Sequence, residues 1–202
     1  MVYSVRKQTE TRALTATEIR SSRPADDRRT QRTRMAVITA FREMVLTEGY
    51  DAITPTRLAE AANIGRSTFY EHFAGVDEVL GVSMGRLFGP LVASTLAPRM
   101  DPEGIEIVQH FWENRRIGKA MLAGGARPVV ISILTERFES GLMARRSYHR
   151  AATPPRIAAT FLANGMIAVL DSWLSGRAQG TPAQIAEALH AAGSATARAM
   201  CG

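Results

Sequence analysis

The stretch 53–73, ITPTRLAEAANIGRSTFYEHF, constrains this chain more than any other, because independent local signals in it agree on two short helices and a tight turn. Thr54 suits an N-cap, Pro55 the first helical position, and Ile53 has the spacing to staple onto Leu58. Asn63 tolerates the left-handed conformation that ends a helix. Gly65 then stands where the next helix is capped, and Ile64 and Phe69 have the spacing of a second staple. Phe69 and Phe73 share an inward face, which leaves Arg66, Ser67, Thr68, Tyr70, Glu71 and His72 to cover the rest of that helix. A short helix with apolar anchors and a polar, aromatic-bearing N-terminal half is what reading the DNA major groove requires.

The remainder is helical in pattern, with no sustained strand alternation, and predicts an all-α protein of about nine helices. Val37, Phe41, Met44 and Val45 mark one face of a first helix over about 29–48, which Gly49 ends. Further breaks are expected at 74–76, 97–102, 124–128, 153–155 and 176–181. Residues 1–27 lack apolar periodicity and read as a disordered basic tail. The expected division is that tail, a helix-turn-helix domain over 28–75, and an effector-binding and dimerising domain over 76–202.

Composition narrows the function classes. In 202 residues, 46% apolar and 22% charged, there is enough material for the core of an ordinary soluble globular protein. The single cysteine, Cys201, allows no intrachain disulfide, and the N-terminal residues hold no apolar run of the signal-peptide type, so a reducing cytoplasm is expected. Residues 157–174 are long and apolar enough to raise a membrane span, but Asn164 and Asp171 within them argue against one. A formal charge of +6 favours a polyanionic partner, and Arg28, Arg29, Arg32 and Arg34 concentrate that charge just ahead of the first apolar face.

With these residues in view, 34–80 resembles the helix-turn-helix of TetR/AcrR-type transcriptional regulators. The order T-P-T-R-L-A, then G-R-S-T-F-Y-E-H-F, then D-E-V-L carries the likeness. The resemblance implies a homodimer on a palindromic operator in double-stranded DNA, most simply a repressor released by an unknown small-molecule effector, with no cofactor and no membrane partner. It places Arg66 and Ser67 at base-reading positions, where an arginine can take guanine O6 and N7 together. Thr56, Arg57, Thr68, Tyr70 and His72 fall at positions that touch phosphate or flank the bases, Thr54 and Gly65 at the two caps are counted among the DNA-binding residues, and Arg34 reaches toward the DNA backbone. Two residues depart from the pattern: Glu71 either accepts from a cytosine amine or repels phosphate, and Val76 stands where the family often places a lysine.

Beyond 76, a stripe of Leu80, Met84, Leu87, Phe88 and Leu91 carries Gly81, Gly85 and Gly89 at every fourth residue, followed by Pro90. Interior glycines cost on the order of 1 kcal/mol each, so they serve either as a hinge or as room for a neighbour. Residues 103–123 and 129–142 read as two amphipathic core helices. By resemblance the effector pocket lies between them and the eighth helix, with Phe111, Trp112, Phe138, Met143, Phe161 and Met166 as wall candidates and His110, Arg115 and Asn164 as polar ones. The segment 157–174, apolar nearly all round, and a last helix opened by a Thr181, Pro182, Gln184 capping box match the family's dimerisation pair, with Phe161, Leu162, Val169, Leu170, Trp173, Ile185 and Leu189 as interface candidates.

Two other classes stand beside the regulator. The histidines His72, His110, His149 and His190 are dispersed, with no metal-ligand spacing, and neither a phosphate-cradling loop nor a nucleophile elbow is written, which disfavours an enzyme. A helical adaptor or ligand-binding protein that keeps the fold without binding an operator would share every core feature.

Overall fold

A computed structural model of the chain describes residues 24–145 and 153–201. Among these there is no strand, and nine α-helices follow in order: α1 (Pro24–Thr47), α2 (Pro55–Ala61), α3 (Arg66–His72), α4 (Val76–Leu96), α5 (Pro102–Glu113), α6 (Arg115–Met121), α7 (Ala126–Met143), α8 (Pro155–Leu174) and α9 (Pro182–Cys201). A single 3-10 turn, Tyr50–Ala52, joins α1 to α2.

The first three helices form one small unit on the N-terminal side. Val37, Phe41 and Val45 of α1 meet Leu58 of α2 and Phe69 and Phe73 of α3 in a core closed to solvent. The α1 helix begins at Pro24, so 24–27, expected in the tail, are helical, and residues 1–23 of that tail lie outside the described residues. Gly49, with φ of 81°, ends the turn after α1 in a conformation that disfavours a side chain.

The body is built around α4. One side of it packs on α7, which runs beside α8, and the other side meets α5 and α9. Residues 103–123, expected as one helix, are two: Asn114 breaks them, its side-chain Nδ2 donating to the His110 carbonyl at 3.0 Å in competition with the backbone. The resulting α6 turns against α1 and so brings the body into contact with the N-terminal unit. At the start of α9 the expected capping box is present: the Thr181 N–H donates to Gln184 Oε1 at 2.9 Å, and the Gln184 N–H donates to Thr181 Oγ1 at 3.3 Å.

The glycines of α4 face α7. A Cβ on Gly81 would meet Ile133 Cδ1 at 3.4 Å, one on Gly85 would meet Arg137 Nη2 at 3.1 Å, and one on Gly89 would meet Arg137 Nη1 at 3.3 Å. The spacing therefore makes room for the Arg137 side chain in the seam, where its Nε is buried without a hydrogen-bond partner among the described residues. Pro90 lies inside α4, which continues to Leu96. Both α4 and α8 have the length and composition to cross a membrane, and half of each such stretch is buried within the protein.

Candidate nucleic-acid interface

The geometry of 53–73 follows from its caps. Thr54 Oγ1 accepts from the Arg57 N–H at 3.3 Å and Pro55 takes the first helical position, so α2 starts where the residue types require. At its end Asn63 has φ of 53°, with the Asn63 N–H donating to the Glu60 carbonyl and the Ile64 N–H to the Ala59 carbonyl. This pair of bonds is the Schellman arrangement, which satisfies carbonyls left over at the helix end and turns the chain directly into α3.

In α3 the buried face consists of Phe69 and, at the C-cap, Phe73, whose rings lie 5.8 Å apart. The opposite face exposes Arg66, Ser67, Tyr70 and Glu71, while Thr68 and His72 are half-buried at its flanks. Tyr70 is 48% exposed and stands edge-on to Phe69 at 5.4 Å, so its ring is oriented from below while its hydroxyl end is free to meet a partner. The Arg66 guanidinium lies 5.8 Å from the Tyr70 ring, a cation–π contact loose enough to be exchanged for a bound base. A Cβ on Gly65 would meet only Ser67 and Thr68 hydroxyls at 3.7 Å, so the glycine leaves the protein side unstrained and the outer side open to close approach.

Two arginines expected at the DNA backbone are engaged within the protein. Arg34 sits well inside α1; its Nη1 donates to the His72 carbonyl at 2.7 Å and its guanidinium lies 4.5 Å from the centre of the Phe73 ring. A cation on the last carbonyls of α3 complements the negative end of that helix and fixes the angle between α1 and α3. Arg57 donates to the Ala52 carbonyl at 2.8 Å and pairs with Glu48, tying the start of α2 to the end of α1. Thr56 is exposed beside it.

Several residues that hold the unit together escaped sequence reading. Glu78 Oε2 accepts from the Ala74 N–H at 2.7 Å and closes the turn into α4. The Tyr50 hydroxyl donates to Asp77 Oδ1 across that turn, and burial together with the Asp77 and Asp51 carboxylates pushes the phenol pKa far above its ordinary value. Asp51 Oδ1 in turn accepts from the Gly125 N–H at 3.1 Å, so the 3-10 turn grips the connection between α6 and α7. Glu78 is three residues after the Gly75 N-cap, a signal that could have found it; the other two pairings join residues far apart in sequence and left none.

The effector candidates do not converge. His110 and Phe111 border one cavity among α1, α4, α5 and α6. Trp112 stacks instead on Trp173 at 4.9 Å and carries Arg115 at 5.4 Å from its ring. Phe138 and Met166 are core, and Met143, Phe161 and Asn164 lie exposed elsewhere. The interface candidates divide as well. Leu162, Leu170, Trp173, Ile185 and Leu189 are buried within the single chain, where α8 packs on α7 and α9, and α9 on α4 and α5 as well. Phe161 and Val169 remain on the outside, joined by Ile157.

No family model matches the chain, and no curated protein matches it. Among solved structures it is similar to NalD, the secondary repressor of the MexAB-OprM multidrug efflux pump in Pseudomonas aeruginosa, at 22% identity over 84% of this chain and 97% of that one, with a TM-score of 0.49. A TetR transcriptional regulator from Streptococcus agalactiae gives 23% identity, 83% and 97% coverage and a TM-score of 0.49. SmeT, the repressor of the Stenotrophomonas maltophilia efflux pump SmeDEF, gives 18% identity, 86% and 92% coverage and a TM-score of 0.46. At that distance the likeness says nothing about what this chain binds.

Proposed function

We propose that the chain is a cytoplasmic, sequence-specific DNA-binding transcriptional regulator of the TetR/AcrR type. The observation that carries this reading is the face of α3: Arg66, Ser67, Tyr70 and Glu71 lie exposed together on a helix whose other side is anchored by Phe69 and Phe73. Such a face fits the major groove, with Arg66 reading guanine and Tyr70, Thr68 and His72 meeting phosphates. Arg34 and Arg57 then act as positioning residues, because their guanidinium groups are occupied in orienting α3 and α2.

Operator binding of this kind needs two copies. Ile157 and Phe161, at 57% and 59% exposed, share an outward stripe of α8 with Gly165 and Ala168. Beside it α9 exposes Ala188, Ala191, Ala195 and Ala199 on one side. A two-fold pairing of α8 and α9 with their symmetry mates would cover both stripes and set the two α3 helices about 34 to 36 Å apart or somewhat further. Repression by promoter occupancy, relieved by an effector that favours another spacing, is the simplest mechanism consistent with this arrangement.

Selection of bound duplexes from a random pool, followed by binding at graded salt, tests the reading. A palindromic consensus with a steep negative slope of log affinity against log salt is expected. Absence of any selected duplex at low salt would leave the adaptor as the better account.

A further inference from the structure

We infer that the cavity among α1, α4, α5 and α6 binds a small carboxylate with an apolar body, its charge held between Arg42 and Arg86. The cavity measures about 230 Å³. Met84, Phe111 and Met121, each almost fully buried, form its floor with Leu87 and Ile117. This surface offers an aromatic ring or short alkyl chain an apolar seat and nothing to hydrogen-bond.

The rim is of opposite character. Arg42 comes from α1 and Arg86 from α4, and among the described residues no aspartate or glutamate borders the cavity. Neither guanidinium makes a hydrogen bond or ion pair with any described residue, although Glu43 and Glu113 border the neighbouring groove with Arg42. Asn114 is held to the His110 carbonyl and closes the rim without adding charge. Two cations without a bonded partner among the described residues, set over an apolar floor, select for an anion whose remainder is hydrophobic, and a planar carboxylate fits the guanidinium fork. The larger groove between α4 and α7 is a weaker candidate, because Glu136 borders it beside Arg137.

The position gives such a ligand leverage. Arg42 belongs to the helix that carries the DNA-binding unit, whereas Arg86 belongs to the central helix of the body, so a carboxylate shared by the two would clamp one to the other. This part rests on the regulator reading above, and the test separates them.

Calorimetric titration of the full chain, without DNA, uses benzoate, benzamide and benzylamine as probes. Benzoate is expected to bind about tenfold or more tightly than benzamide, with benzylamine weakest, and Arg42→Gln and Arg86→Gln are each expected to weaken benzoate by about tenfold. Both arginines are exposed, so unchanged thermal unfolding should accompany the loss. Arg137→Gln is expected to bind benzoate as the parent does. Equal affinity for benzamide, no effect of either rim substitution, no benzoate binding at millimolar concentration, or loss on Arg137→Gln alone would each overturn the assignment. Benzoate binding at this rim with unaltered operator affinity would leave the site standing and remove its part in effector release; operator binding without benzoate binding would overturn the site and leave the regulator reading standing.

Discussion

The N-terminal unit and the helical body solve the same packing problem by different means. In the unit, α2 and α3 are too short to be stable alone, and almost every constraint on them is local: Thr54 caps, Asn63 turns, Phe69 and Phe73 anchor. Its inner surface is apolar and its outer surface mostly polar, with Met35, Leu46 and Tyr70 as the large apolar side chains left outside. The body instead relies on contacts between helices distant in sequence, and it leaves features that its own fold does not consume: an apolar stripe on α8 and Arg137 laid in a glycine seam, with Arg86 facing Arg42 of the unit across a shared apolar cavity. On the readings proposed above, surplus rather than satisfaction marks the body's binding surfaces, while in the unit the marker is the polar face itself.

That contrast can be broken most directly at Phe69. Because the ring is fully buried, Phe69→Ala is expected to destabilise by about 3–5 kcal/mol, read by chemical denaturation, and operator binding should vanish with it. A milder loss would mean that α3 is held by the body instead. Phe161→Asp probes the surplus side: the side chain is mostly exposed, so the protomer should keep its fold while association weakens by about 2 kcal/mol or more for each copy, seen as a shift to monomer in sedimentation. Unchanged mass would detach the α8 stripe from dimerisation.

Arg66→Ala should sharpen the comparison without touching stability. Discrimination at one base position is expected to fall by about 1–3 kcal/mol in competition between duplexes, with the unfolding midpoint unmoved. Tyr50→Phe removes the bond to Asp77 and should cost about 0.5–1.5 kcal/mol at neutral pH. Its pH dependence has a definite sign. The folded-state pKa lies above the ordinary 10.0, so the contribution is fully present below pH 10.0 and is lost as pH rises beyond it; the Phe variant should therefore show a flatter decline in alkali. The smallest effect belongs to Gly85→Ala. Its new methyl meets only the flexible end of Arg137, and the gain in helix propensity offsets the crowding, so stability should change by less than about 1 kcal/mol in thermal unfolding. A large loss would restore a hinge to that position.

Much of the N-terminal unit was legible in the chain, since the residues that cap, turn and anchor it lie within a few positions of what they act on. The sequence by itself determined the all-helical class, the limits of α2 and α3, the left-handed Asn63, the polar face of α3 and the Thr181 capping box. Only the tertiary structure decided that Arg34 and Arg57 brace helices, that Asn114 splits a helix, and that Leu162, Leu170, Trp173, Ile185 and Leu189 belong to the protomer's core. It alone also brought Arg42 and Arg86 to one rim. Capping and periodicity act within a turn or two of the chain and are written where they act, whereas which face of an apolar helix is covered, and which arginine finds a partner, depends on residues the chain brings back from far away.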